Sequence, residues 1–165
     1  KKYINSKTKT KNGLDRSMIK IICVGKIKET YFKDALKEYE KRLSKYTKLE
    51  LIELPDYSYD EKKEVVEEGK NILNKISEKD FVVTLEINGK NLSSEELSDF
   101  INKNISRNII FVIGGSNGLS SSVLDRSDYR LSFSKLTFPH QLFRVILLEQ
   151  IYRSFKIINN EAYHK

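Results

Sequence analysis

Cys23 is the only cysteine in the 165-residue sequence, so no disulfide can form within the chain. No apolar run approaches the roughly 20 residues that a membrane-spanning helix needs. The first residues are polar and lysine-rich, without the apolar stretch of a secretory signal. Together these absences lead to an expectation of a cytoplasmic protein with no membrane attachment. The two histidines, His140 and His164, have no cysteine or carboxylate at metal-ligand spacing, so no metal is expected. No Walker A loop occurs, which removes one common route to nucleotidase chemistry. Glu67-Glu68 and Glu95-Glu96 read as exposed helix faces rather than acid/base pairs. The two prolines, Pro55 and Pro139, stand far apart, and nothing resembles a low-complexity linker or a repeat.

What is present suits one globular domain: 39% hydrophobic and 32% charged residues over a length that allows a single core. The formal charge of +7 suggests a nucleic-acid partner, but it is unevenly spread. Lys1, Lys2, Lys7, Lys9, Lys11 and Arg16 face only Asp15 among the first 17 residues. That segment has no hydrophobic period, and the pattern Met-Ile-Lys-Ile-Ile-Cys-Val-Gly begins at Met18. Residues 1–17 therefore read as a disordered extension or an expression remnant, and residues 18–165 as one domain. A second basic concentration, over residues 130–165, is where an RNA-facing surface is expected.

From Ile19 onward, strand and helix patterns alternate. Apolar runs at 19–24, 49–54, 81–87, 109–113 and 129–133 predict five strands. Helical periods predict helices over 31–46, 61–76, 94–103, 120–126 and 139–158, the third with capping-box spacing between Ser93 and Glu96. Asn88-Gly89 reads as a turn that ends the third strand, and Pro139 as the first residue of the last helix. The result is an α/β fold with a mostly parallel sheet. The last helix is apolar around most of its circumference and needs cover on two sides. Its own sheet would supply one cover and a second copy of the chain the other, so a homodimer is expected.

Two loops stand out. Gly114-Gly115-Ser116-Asn117-Gly118 follows a strand, where open α/β sheets bind ligands, but its spacing is equally that of a tight turn. It departs from the dinucleotide fingerprint because Ser116 replaces the second glycine. Ser132 to His140 is rich in polar groups just before a helix, suited either to capping or to holding a ligand.

These loops carry a resemblance. Phe111-Val112-Ile113-Gly114-Gly115-Ser116-Asn117-Gly118-Leu119 and Leu131-Ser132-Phe133-Ser134-Lys135-Leu136-Thr137-Phe138-Pro139-His140-Gln141 resemble two signatures of the ribosomal RNA large-subunit methyltransferase H family, of the SPOUT class. Arg144, Glu149-Gln150, Tyr152-Arg153 and the terminal Ala162-Tyr163-His164-Lys165 continue the likeness, as does the opening around Cys23. The resemblance implies a SPOUT-type, mostly parallel sheet flanked by helices, with a trefoil knot in the C-terminal half. It further implies S-adenosylmethionine as methyl donor, held by Leu85, Gly114 and the run Phe133, Ser134, Lys135, Leu136, Thr137 and Phe138. The implied reaction is methylation of N3 of a pseudouridine in 23S ribosomal RNA, on assembled ribosomes.

That nitrogen attacks well only after losing its proton, so a base or a cation is required. His140, Arg153, Tyr163 and His164 are the candidates, with Arg144 beside them. The tail is expected to reach the partner's donor pocket in a dimer. Valine at position 114 is expected to block the donor while sparing the fold. The competing reading is a non-catalytic ribosome-binding homodimer, and a nucleotide-dependent oxidoreductase is a weaker third.

Overall fold

The computed structural model describes residues 18–57 and 60–165. The expectation for residues 1–17 falls outside the described residues. Five strands, β1 (Met18–Val24), β2 (Lys48–Leu54), β3 (Phe81–Asn91), β4 (Ile109–Ile113) and β5 (Tyr129–Ser132), form one sheet in the order β2-β1-β4-β3-β5. Every pairing is parallel. Helices α1 (Thr30–Leu43), α2 (Glu61–Leu73), α3 (Ser94–Asn104) and α4 (Ser121–Arg126) make the crossovers, and α5 (His140–Ile158) follows the last strand.

Strand alternation divides the core in two. Ile19, Ile21 and Cys23 on β1, with Ile109, Phe111 and Ile113 on β4, join the larger cluster with Leu36, Leu97, Ile101, Leu147 and Ile151 from α1, α3 and α5. Ile22, Val24, Ile110 and Val112 point the other way, against Ile72 of α2 and Val123 of α4. Period-2 patterning thus gives a sheet covered on both faces, the arrangement a parallel sheet requires.

Three expectations are corrected. β3 does not end at Asn88-Gly89 but runs on to Asn91, with a register irregularity that pairs Leu131 of β5 with both Leu85 and Lys90. The dipeptide that signals a turn lies inside an irregular stretch held by a neighbouring strand. Pro139 is the N-cap of α5, with an extended ψ of 133°, and helical backbone begins at His140. The second cover for α5 comes from its own chain: α1 and α3 pack along its two flanks. Leu147, Leu148 and Ile151 are fully buried there, each worth about 1.5–3 kcal/mol of burial. Tyr46 of the turn after α1 stacks on Phe155 at 5.6 Å.

Candidate active site

Both loops singled out in the sequence open at the carboxyl end of the sheet, beyond β4 and β5, and bound one cavity of about 450 Å³. That lies within the ~300–1,000 Å³ typical of small-molecule sites. Its walls are mainly apolar, with Leu85, Ile113, Leu131, Phe133 and Phe143 contributing.

The glycine loop is a four-residue turn closed by the amide of Gly118 donating to the Gly115 carbonyl at 3.1 Å. Gly118 has φ +79°, a conformation that favours glycine. A Cβ on Gly114 would lie 2.8 Å from the Gly118 carbonyl oxygen and 2.9 Å from Leu119 Cδ2. The expectation that valine at 114 blocks the donor while sparing the fold is therefore corrected: the side chain would enter the loop's own backbone.

Helix α2 supports this loop. Asn117 Nδ2 donates to Glu64 Oε2 at 3.0 Å. Gly69 lacks the Cβ that would collide with Ser120, so α2 approaches the start of α4 closely. That approach turns Glu68 inward until its carboxylate lies under Gly115, where a Cβ would sit 3.2 Å away. Glu68 is only 2% exposed, which corrects its assignment to a solvated face; Glu67, Glu95 and Glu96 are exposed as expected. Burial first, and the neighbouring Glu64 second, push the Glu68 carboxyl up to about 7.

The second loop is closed by aromatic packing. Phe143, in the first turn of α5, meets Phe133 edge-on at 5.1 Å and Phe138 in a stack at 5.9 Å, one ring from each end of the loop. Between them the Ser134 hydroxyl accepts from the Leu136 amide at 3.0 Å. Of the residues expected to contact a donor, Leu85, Gly114, Phe133, Ser134, Leu136, Thr137 and Phe138 line the cavity, while exposed Lys135 does not. His140 also lines it and makes no capping hydrogen bond. Desolvation by the cavity wall, then the charge of Arg144, lowers the pKa of its imidazole. The shift favours the neutral form of the ring, in which one nitrogen can accept a proton.

Arg153, Tyr163 and His164 gather elsewhere. At ~1.5 Å per residue, Arg153 lies about 20 Å along α5 from His140. Glu149 Oε1 accepts from Arg153 (2.6 Å to Nη2) and from the Tyr163 hydroxyl at 3.0 Å. The Tyr163 ring packs edge-on against Tyr152 at 4.9 Å. Burial, then the bond to Glu149, raises the Tyr163 hydroxyl to about 12, so it stays a phenol. Arg153 Nη1 lies 3.1 Å from His164 Nδ1, and a guanidinium can only donate. His164 Nδ1 therefore accepts, leaving Nε2 to donate to Glu95 Oε1 at 2.8 Å. Within one chain the four candidates thus form two groups, His140 at the cavity and a network binding the tail to α5 and α3.

Arg144 belongs to neither group. It is 1% exposed and donates to Glu53 at 3.0 Å and to the carbonyls of Val24 and Gly25 at 3.0 and 2.8 Å, fastening α5 to the end of β1. The C-terminal basic surface is correspondingly smaller than the charge count suggests. Arg153 and Lys156 are paired with Glu149 and Glu161, and Arg130, Lys135 and Lys165 are exposed.

Two polar residues at the site escaped sequence reading. Glu68 sits in a charged helix with no pattern to mark it, and Glu86, which the sequence places inside the third strand, lines the cavity from the irregular stretch after Leu85. Among the described residues no group of three or more histidines, cysteines or carboxylates could hold a metal, and no helix is long and apolar enough to cross a membrane.

The family model described as "Predicted SPOUT methyltransferase" matches residues 18–164, which takes in every described element, and the chain belongs to that family. Among curated proteins, "Ribosomal RNA large subunit methyltransferase H" of Clostridium beijerinckii is 53% identical over 157 residues, covering 89% of this chain and 99% of that relative.

Proposed function

We propose that this SPOUT methyltransferase uses S-adenosylmethionine to methylate N3 of a pseudouridine in 23S ribosomal RNA, acting as a cytoplasmic homodimer on assembled ribosomes. The observation that carries this reading is the cavity between residues 114–119 and 133–138, in a chain 53% identical to a protein named for large-subunit ribosomal RNA methylation. The fold part of the proposal is a trefoil knot in the C-terminal half, whose loops are these two segments.

The cavity fits such a donor by its size, by apolar walls suited to a nucleoside, and by the buried, unpartnered Oε2 of Glu86. Leu85, Gly114 and residues 133–138 would hold it. When bound, the donor supplies a methyl group activated by a positively charged sulfur. The chain's own residues do the rest. The cavity walls exclude water and fix the direction of approach. His140, at the cavity wall, takes the N3 proton on a ring nitrogen as the N3 nitrogen becomes nucleophilic. Arg153, Tyr163 and His164 of a second copy meet the RNA at the cavity mouth, where a cation offsets negative charge and an aromatic ring can stack on a base. A domain this small reads local RNA shape and phosphates rather than a long sequence.

Isothermal titration with S-adenosylmethionine, S-adenosylhomocysteine and NAD tests the donor assignment. The expected result is saturable binding of the first two at one site per chain and none of NAD. NAD binding alone would favour an oxidoreductase, and no binding of any would favour a non-catalytic ribosome-binding protein.

A further inference from the structure

Among the described residues Glu86 is the only carboxylate in the cavity wall, and no lysine or arginine among them lines the cavity to balance it. Its Oε2 is shielded from solvent and has no hydrogen-bond partner. A carboxylate can only accept, and leaving a buried oxygen without a donor is costly. Leu85, Leu131 and Phe133, also in that wall, have no side-chain group to donate.

The backbone that presents Glu86 is built for the purpose. β3 pairs with β5 through Leu85↔Leu131 and resumes with Lys90↔Leu131, so residues 86–89 are looped out of the ladder. The loop can return only because position 89 is glycine. A Cβ there would lie 2.7 Å from the Leu131 carbonyl carbon and 2.8 Å from the Arg130 oxygen, both backbone atoms. A bulge beside a site, maintained by close backbone contact, serves to aim a side chain.

We infer that Glu86 is a ligand-binding residue whose Oε2 accepts hydrogen bonds from the methyl donor, from its ribose hydroxyls or its α-ammonium group. The inference rests on the donor assignment proposed above. Both sources share the needed chemistry, an O–H or N–H donor that satisfies the buried oxygen, and the ammonium would also offset the charge. Glu86 would then account for recognition of the donor's polar groups in a cavity whose other walls serve mainly its apolar surface.

The test is titration of the full chain and of Glu86→Gln and Glu86→Ala with S-adenosylhomocysteine and with 5′-methylthioadenosine, which keeps the ribose but lacks the amino-acid group. Circular dichroism melting checks that each variant remains folded. Glu86→Ala should weaken S-adenosylhomocysteine about 10- to 100-fold, the loss expected for a hydrogen bond to a charged group, with a smaller loss in Glu86→Gln. An equal loss for methylthioadenosine assigns the ribose, and a loss confined to S-adenosylhomocysteine assigns the ammonium. Parent affinity in both folded variants would overturn the role of Glu86 while leaving the donor assignment intact. Failure of the parent chain to bind either nucleoside would overturn both.

Discussion

Glu68 shows how one side chain ties helix packing to the candidate site. Its carboxyl lies under Gly115, 2% exposed, with Oε1 unpartnered. Folding raises its pKa from 4.5 to about 7, so the folded state favours the protonated form. The stabilisation is complete below pH 4.5 and is lost as pH rises through about 7. The parent should therefore lose on the order of 2–3 kcal/mol between those limits from this residue alone. Glu68→Gln, which cannot ionise, should match the parent at pH 4.5 and exceed it at pH 8.5 by that amount in urea denaturation. Equal stability at both pH values would show that the carboxylate is satisfied when charged. Nothing in the sequence marks this residue, because the cause is the missing Cβ of Gly69 and the approach of Ser120 from a distant segment. Glu86 was illegible for a related reason: its burial depends on the path of β5. The residues of the two loops were legible, since a glycine turn and an aromatic-flanked polar run are local features.

At the scale of elements, strand alternation and helical period placed all five strands and all five helices, with ends differing by a few residues. The differences arise where partners distant in sequence decide. Asn88-Gly89 is drawn into β3 by β5, and the apolar circumference of α5 is covered by α1 and α3. Periodicity counts apolar positions but does not say which neighbour meets them. With those flanks filled, the dimer proposal rests on a narrower stripe. Leu142 is 37% exposed, and part-exposed Ile146, Glu149 and Arg153 follow it at helical spacing. Apolar Leu142 and Ile146 lie at the cavity end of α5, suited to the centre of an isologous contact. Sedimentation velocity at micromolar concentration should give twice the chain mass for the parent and the single-chain mass for Leu142→Glu/Ile146→Glu, with an unchanged circular dichroism spectrum. A monomeric parent would remove the dimer from the account.

For the whole molecule, the separation between His140 and the Arg153–Tyr163–His164 network is the feature that most shapes the proposal. One chain holds the groups about 20 Å apart along a rigid helix, so the proposed site that combines them draws the tail from a second copy. Deleting residues 163–165 should leave dimerisation and donor binding intact while abolishing transfer to ribosomes. Mixing that protein with Gly114→Val chains, whose glycine loop is broken, should restore part of the activity, because a mixed dimer contains one whole site. A mixture that forms mixed dimers yet stays inactive would refute sharing between subunits. The central claim, methyl transfer to large-subunit RNA, is tested most directly by incubating the protein with ribosomes lacking the modification and methyl-labelled S-adenosylmethionine. The RNA is then digested to nucleosides. The account predicts about one label per ribosome, all in 23S RNA and recovered as N3-methylpseudouridine; unlabelled 23S RNA from a protein that binds the donor would contradict it.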